Sequence, residues 1–125
     1  MTDAPVLSGD HVRVVLERIE VLVACGLHAW ERHPERPNRL WVDVEMFAAW
    51  SAGGDGYVDY DRVRRHVLGW QGQPHVDLLE TLLKDLTDFI FLDEAVQACR
   101  VRIAKPDIFP ETRAAGVELF RRRPA

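Results

Sequence analysis

A lysine that could transfer protons stands at the end of a predicted strand. Lys105 follows Val101 and Ile103 on alternate positions, so it extends the apolar face of that strand. A lysine at the rim of a buried face loses hydration, which disfavours its charged form and suits it to exchange protons near neutral pH. Pro106 keeps the preceding residues extended. The alternative is a solvated lysine of the ordinary surface kind.

Glu80 is open to two interpretations. Asp77 stands three residues earlier, and this spacing matches a helix-capping box in which Glu80 returns to the helix N-terminus. In the second interpretation, Glu80 binds a guanidine-like ring edge, because a carboxylate accepts two parallel N–H bonds. The positive end of the helix dipole would favour the charged carboxylate there. The two roles compete for one side chain.

Two further side chains carry weaker signals. Tyr60 follows Asp59, a predicted helix cap, and by itself is typical of a half-buried packing residue. Glu31 lies in a loop and by itself is typical of a solvated carboxylate. His28 and His33 match no compact zinc spacing, so we expect no metal site.

Hydrophobic periodicity predicts the elements that position these residues. Two strands come first, then two helices, then two strands. The segments are strands at 12–24 (with a possible bulge at 16–18) and 40–46, helices at 59–70 and 77–90, and strands at 99–105 and 115–119. Two strand pairs separated by a helix pair favour an α+β fold, a four-stranded antiparallel sheet with both helices on one face.

Bulk properties narrow the class of protein. The length of 125 residues fits a single domain, placed at 12–123 after a disordered lead at 1–11. The net charge of −4 argues against a general affinity for nucleic acid, and there is no apolar run long enough for a membrane span.

Cys25 and Cys99 lie in apolar segments and are expected to be buried free thiols of a cytoplasmic protein. The arginines at 121–123 are expected to form a solvated strand end, and the glycine-rich 51–56 a flexible loop.

Four segments carry a family resemblance. In chain order they are Gly-Leu-His-Ala-Trp-Glu at 26–31, Val-Asp-Tyr at 58–60, Val-Asp-Leu-Leu-Glu-Thr-Leu at 76–82 and Arg-Ile-Ala-Lys-Pro at 102–106. From about residue 12 to residue 121 the chain resembles the dihydroneopterin aldolase family. The resemblance implies the β-β-α-α-β-β tunnelling fold, whose subunits join into barrel-forming rings. It therefore implies a homo-oligomer, a tetramer ring or an octamer of stacked rings.

The resemblance also implies roles for individual residues. Lys105 is similar to the family's general acid/base, and Glu31 to the glutamate that holds the substrate's hydroxylated side chain and a water. Tyr60 resembles a tyrosine that reaches a neighbouring subunit's site and helps to protonate the intermediate. Glu80 is similar to the pterin anchor, and Leu79 and Val58 are similar to residues beside the pterin ring.

The implied reaction is the retro-aldol cleavage of 7,8-dihydroneopterin in folate biosynthesis, with neither a metal nor another cofactor. Two alternatives remain open, an epimerase of dihydroneopterin or its triphosphate and a non-catalytic pterin-binding paralogue. Several positions depart from the family pattern and bear on substrate detail. They are His28 where Tyr is frequent, Asn38 where Gln is common, Ala52-Gly53 in place of an acidic pair, Tyr57 where Thr is common, and a longer loop at 32–39.

Overall fold

The computed structural model describes residues 9–33, 36–50 and 57–124, which form four strands and two α-helices. The strands are β1 (His11–Val23), β2 (Asn38–Ala49), β3 (Val96–Lys105) and β4 (Ala115–Arg122), and the helices are α1 (Tyr60–Leu68) and α2 (Leu79–Ile90). A short 3-10 helix, Ala29–Glu31, connects β1 to β2. The predicted lead lies outside the described residues as far as residue 8, and so does the predicted loop at 51–56.

The strands form one antiparallel sheet in the order β1-β2-β3-β4, which confirms the predicted arrangement. The predicted bulge in β1 is also confirmed, because Glu17 and Arg18 together oppose the single residue Asp43 of β2. Arg18 has a φ of 51°, and its amide donates to Asp43 Oδ1 at 2.8 Å. The Asp43 carboxylate thus provides an acceptor for the Arg18 amide, which the bulge removes from the hydrogen-bond ladder between β1 and β2.

Both helices pack on the same face of the sheet, as predicted. Asp59 caps α1 by accepting the Asp61 amide at 3.0 Å, which confirms the predicted cap. Alternate residues of the strands and one stripe of each helix form a single core. Its fully buried members include Leu40, Val42, Met46, Val63, Val67, Leu86, Ile90, Val101 and Ile103. No helix in the described part is long and apolar enough to cross a membrane.

The opposite face of the sheet carries charges that are paired across the strands. Glu45 in β2 accepts from Arg13 of β1 at 3.1 Å and from Arg100 of β3 at 3.0 Å. A cavity of about 290 Å³ lies among these side chains. Cross-strand pairs of opposite charge stabilise neighbouring strands, so this face is polar without leaving these charges isolated.

The C-terminal arginines correct a prediction. Arg121 donates to Asp88 at 2.6 Å, and Arg123 donates to the carbonyls of Phe91 and Asp93 at 3.1 and 2.6 Å. These carbonyls lie where α2 ends, a region in which backbone acceptors lack partners within the helix. The interpretation of 121–123 as a solvated strand end is therefore wrong for Arg121 and Arg123, which fasten the end of β4 to the end of α2.

Both cysteines are buried free thiols, as predicted. Burial raises the pKa of the Cys99 thiol to about 12, so this side chain stays protonated and packs as a small apolar group. Cys25 precedes Gly26 in the segment that leads from β1 toward Glu31. Burial also raises the pKa of Cys25, although the neighbouring Lys105 and Asn38 oppose the increase.

Candidate active site

A cleft of about 260 Å³ opens at the end of the sheet where β3 ends and β4 begins. Three regions supply its walls: the loop after β1, the start of α2 with the residues before it, and the β3–β4 connection. The lining residues are Leu27, His28 and Glu31 from the first region, Asp77, Leu78, Leu79 and Glu80 from the second, and Lys105, Ile108, Phe109, Ala115, Gly116 and Val117 from the third. The cleft therefore collects Lys105, Glu31, Glu80 and Leu79 of the predicted site residues.

Lys105 and Glu31 form an ion pair in the wall of this cleft. Lys105 Nζ donates to Glu31 Oε2 at 2.5 Å, and the two side chains are only 14% and 1% exposed. The alternation of β3 carries Lys105 onto the core side of the sheet, where Ile103 is fully buried. The interpretations of Lys105 as an ordinary surface lysine and of Glu31 as a solvated carboxylate are both wrong.

Glu31 is held by two more donors. Asn38 Nδ2 donates to Oε2 at 2.9 Å, and the His28 amide donates to Oε1 at 3.3 Å. Burial by itself would raise the pKa of the Glu31 carboxyl, but the hydrogen bonds from Lys105, Asn38 and the His28 amide outweigh burial and lower the pKa below its usual value. Glu31 is therefore a buried carboxylate that stays ionised.

Gly26 makes room for this carboxylate. It has a φ of +124°, which favours glycine. A Cβ at this position would overlap the carboxylate group of Glu31. The glycine that follows β1 is thus required by the site as well as by the backbone.

The segment around Gly26 is bound to the residues before α2. The Gly26 amide donates to the Val76 carbonyl at 3.0 Å, and the Val76 amide donates to the Ala24 carbonyl at 2.9 Å. His75 Nε2 donates to the Gly26 carbonyl at 2.8 Å. These bonds hold the Glu31 loop and the start of α2 together, and so set the carboxylates of Glu31 and Glu80 relative to each other.

Of the two interpretations open for Glu80, the capping box is wrong. The residue at the N-cap of α2 is Leu78, whose side chain accepts no capping bond. Asp77 instead forms an ion pair with Arg32, whose Nη2 lies 2.5 Å from Asp77 Oδ1. Glu80 lies exposed in the first turn of α2 and lines the cleft. Within the part of the chain that the structure describes, no partner holds its carboxylate, which is therefore available to a ligand.

Two predicted site residues lie away from the cleft. Val58 is buried in the core with 4% exposure, whereas Tyr60 is 55% exposed at the start of α1, so it is not the half-buried packing residue expected from sequence alone. Arg62, one half-turn further along α1, donates to the carbonyl of Phe89 near the end of α2. The cleft lies at the other end of α2, a helix of 12 residues that spans about 18 Å. Tyr60 therefore does not reach the cleft of its own chain.

Comparison with known proteins agrees with this architecture. The family model "FolB: Dihydroneopterin aldolase" matches residues 14–120. The chain belongs to the dihydroneopterin aldolase family. A candidate dihydroneopterin aldolase (FolB) from Vibrio cholerae is 30% identical, with a TM-score of 0.76 over 94% of this chain and 100% of that chain.

Two further aldolase structures are similar. The dihydroneopterin aldolase from Burkholderia thailandensis, bound to guanine, is 28% identical over 92% of this chain and 93% of its own, with a TM-score of 0.74. The enzyme from E. coli in complex with neopterin shares the fold, with 19% identity and a TM-score of 0.73 over 88% of this chain and 98% of its own. No curated protein sequence matches the chain significantly.

Sequence reasoning missed three residues that shape the aldolase-family cleft. Asn38 acts through a hydrogen bond to Glu31, seven residues earlier, His75 acts through one to Gly26, 49 residues earlier, and Gly26 acts by lacking a side chain. Gly26 could have been suspected, because glycine commonly follows a strand where φ is positive. Asn38 was noted only as a departure from the family pattern, and nothing in the local sequence of His75 indicates its contact.

Proposed function

We propose that the protein is a dihydroneopterin aldolase that cleaves 7,8-dihydroneopterin into 6-hydroxymethyl-7,8-dihydropterin and glycolaldehyde. One observation carries the proposal beyond family membership: the Lys105–Glu31 ion pair lies in the wall of a cleft that also presents the unpartnered carboxylate of Glu80. The activity would belong to folate biosynthesis, and a cytoplasmic location is part of the proposal because both cysteines are free.

The proposed reaction requires the protein to fill three roles. Loss of a proton from the side-chain hydroxyl breaks the adjacent carbon–carbon bond, and the electron pair passes into the C=N bond of the dihydropterin to give an enamine. A proton must then be added to the enamine carbon to form the hydroxymethyl product. The protein has to remove the first proton, deliver the second and keep the ring in place, and each proton transfer is worth on the order of 10²–10⁴ in rate.

The residues of the cleft are suited to these three roles. Lys105 in its neutral amine form, acting through a water, would take the hydroxyl proton and become the ammonium ion, and Glu80 would accept the paired N–H groups of the ring. Among the residues that the structure describes, the His28 amide alone donates to Glu31 Oε1, with a long bond of 3.3 Å, so this oxygen has lone-pair capacity for a substrate hydroxyl. Glu31 would therefore orient the side chain for proton removal by Lys105.

Tyr60 would serve the cleft of another subunit. It is 55% exposed and lies at the opposite end of the helix layer from its own cleft, so only a second copy of the chain could bring such a tyrosine to Lys105. Head-to-tail contacts of this kind form a ring when the rotation from one subunit to the next closes on itself. We propose a ring of four subunits, alone or stacked in pairs, in which Tyr60 assists protonation of the enamine and Val58 packs near the pterin ring of the same shared site.

Mixed rings test the shared site. Tyr60→Phe and Lys105→Ala subunits, each shown to be defective separately, are mixed under conditions in which mass measurements verify subunit exchange. Some interfaces then combine an intact tyrosine with an intact lysine, so part of the activity should return. Exchange without any recovery, or full activity in a dilute monomer, would refute the shared site.

Three arginines could bind the triphosphate of an alternative substrate, namely Arg32, Arg36 and Arg39, and the ion pairs of two of them support an unphosphorylated substrate. Arg32 is paired with Asp77 at 2.5 Å. Arg39 is paired with Asp107 at 2.8 Å and with Glu20 at 3.1 Å. A triphosphate side chain would have to take these arginines from their carboxylates. Epimerisation of dihydroneopterin itself remains the second candidate, because it uses the same bond cleavage in both directions.

Product analysis decides between the candidates. Pure protein is incubated with 7,8-dihydroneopterin, and the pterins and glycolaldehyde are separated and quantified, with Lys105→Ala prepared identically as the control for contaminating host enzyme. Equal amounts of 6-hydroxymethyl-7,8-dihydropterin and glycolaldehyde support the proposal. An epimer of the substrate as the main product indicates an epimerase, and binding without any product indicates a non-catalytic pterin-binding protein.

A further inference from the structure

Asn38 joins three parts of the candidate site through one amide group. It is the first residue of β2, and its Nδ2 donates to the Cys25 carbonyl at 2.7 Å and to Glu31 Oε2 at 2.9 Å. An asparagine amide has two hydrogens, so both are used in these bonds. The first bond holds the backbone next to Gly26, and the second holds the carboxylate that fills the space above Gly26.

The oxygen of Glu31 that accepts from Asn38 is the same oxygen that accepts from Lys105. Lys105 Nζ and Asn38 Nδ2 both donate to Glu31 Oε2, at 2.5 and 2.9 Å. With Oε2 fixed from two sides, rotation of the carboxylate is blocked, and within the described part of the chain Oε1 keeps only the long bond from the His28 amide. We propose that Asn38 is a positioning residue, which locks the Glu31 carboxylate so that one oxygen holds Lys105 and the other is presented to a substrate hydroxyl.

The inference rests on the proposed aldolase function for its catalytic consequence, but its physical core is the control of one buried carboxylate. Several ionisable groups share that environment. The groups that face Glu31 or line the cleft with it are Lys105 from β3, Cys25 and His28 from the β1–β2 connection, and Asp77 and Glu80 from the start of α2. The Asn38 amide, unlike these groups, is neutral at every pH, so it is a constant donor that favours the ionised carboxylate of Glu31.

The test compares two variants with a matched control. Asn38→Leu keeps the size of the side chain and removes the donor, and Asn38→Asp keeps the shape but replaces the donor with a second carboxyl. Gln71→Met is the control: Gln71 Oε1 accepts the Leu22 amide at 3.1 Å, so the control also removes a bond between a side-chain amide and the backbone near the end of β1, without touching Glu31.

We expect both Asn38 variants to lower kcat about tenfold, because a hydrogen bond to a charged group is lost, with little change in KM. The acid limb of the pH–kcat profile should move to higher pH, further in Asn38→Asp than in Asn38→Leu. Gln71→Met should leave kcat and the profile unchanged, whatever it does to the melting temperature.

A second readout does not depend on turnover. The protein is labelled with ¹³C at the glutamate side-chain carboxyl, the Glu31 signal is assigned with Glu31→Gln, and its titration is followed by NMR without substrate. Movement of the Glu31 midpoint to higher pH in both Asn38 variants supports the inference even if wild-type protein fails to cleave dihydroneopterin, which would overturn only the proposed function. If neither the Glu31 midpoint nor kcat changes more than in Gln71→Met, Asn38 is merely structural and the inference is overturned.

Discussion

Replacing Lys105 with methionine removes one partner of a buried ion pair and leaves the other behind. The side chains of Lys105 and Glu31 are 14% and 1% exposed, and loss of one member of such a pair costs about 3–5 kcal/mol. Asn38 and the His28 amide still donate to the carboxylate, at 2.9 and 3.3 Å. We therefore expect the lower end of the range, about 3 kcal/mol, together with a severe loss of turnover.

The sign of the pH dependence follows from Glu31. In the native chain the pKa of Glu31 lies below the usual glutamate value of 4.5. Its contribution to stability is therefore complete above that value and is lost as the pH falls through the lower folded pKa. Lys105→Met removes the main interaction that lowers the pKa of Glu31 against the effect of burial, so this pKa rises. The penalty should then be greatest near neutral pH and shrink as acid neutralises the carboxyl.

Urea unfolding at fixed protein concentration measures this effect at about pH 7 and about pH 5. Lys84→Met is the matched control, because Lys84 pairs with Asp88 at 2.6 Å while the two side chains are 78% and 44% exposed. Such an exposed pair contributes about 0.2–1 kcal/mol. Equal losses in the two variants, or a Lys105→Met penalty that does not shrink in acid, would refute the reasoning about the buried carboxylate.

Three other substitutions test separate parts of the structure. Glu80→Ala should weaken binding of 6-hydroxymethyl-7,8-dihydropterin about ten- to hundredfold with an unchanged melting temperature; undiminished affinity in calorimetric titration would remove Glu80 from ring binding. Gly26→Ala should lower kcat and cost at least about 1–3 kcal/mol in urea unfolding, because its Cβ displaces the Glu31 carboxylate, and a fully active, stable variant would contradict that overlap. Arg123→Met should lower stability by about 1.5–3 kcal/mol yet keep its kcat, since the cleft lies at the other end of α2; an unchanged melting temperature would mean that its carbonyl contacts contribute nothing.

Local patterns were sufficient for the elements of the fold. The alternation around Ile103, the periodicity of α1 and the Asp59 cap depend on neighbours within a few residues, and burial of one face dictates such spacing. The same alternation placed Lys105 on the core side of β3. The approximate bounds of the four strands and the bulge near Arg18 could therefore be predicted from the sequence, and the family segments added candidate roles.

The chemistry of the cleft depends on contacts that no local pattern contains. Glu31 is ionised and buried because Lys105, 74 residues later, donates to it, and Asp77 leaves its predicted capping role because Arg32, 45 residues earlier, pairs with it. Such contacts exist only after packing has removed water and brought distant segments together, so the free energy of each group is decided by its neighbours in space. The sequence by itself determined which groups were present and on which face of each element they lie. Only the tertiary structure decided that Glu31 is held by three donors while the carboxylate of Glu80 remains open to a ligand.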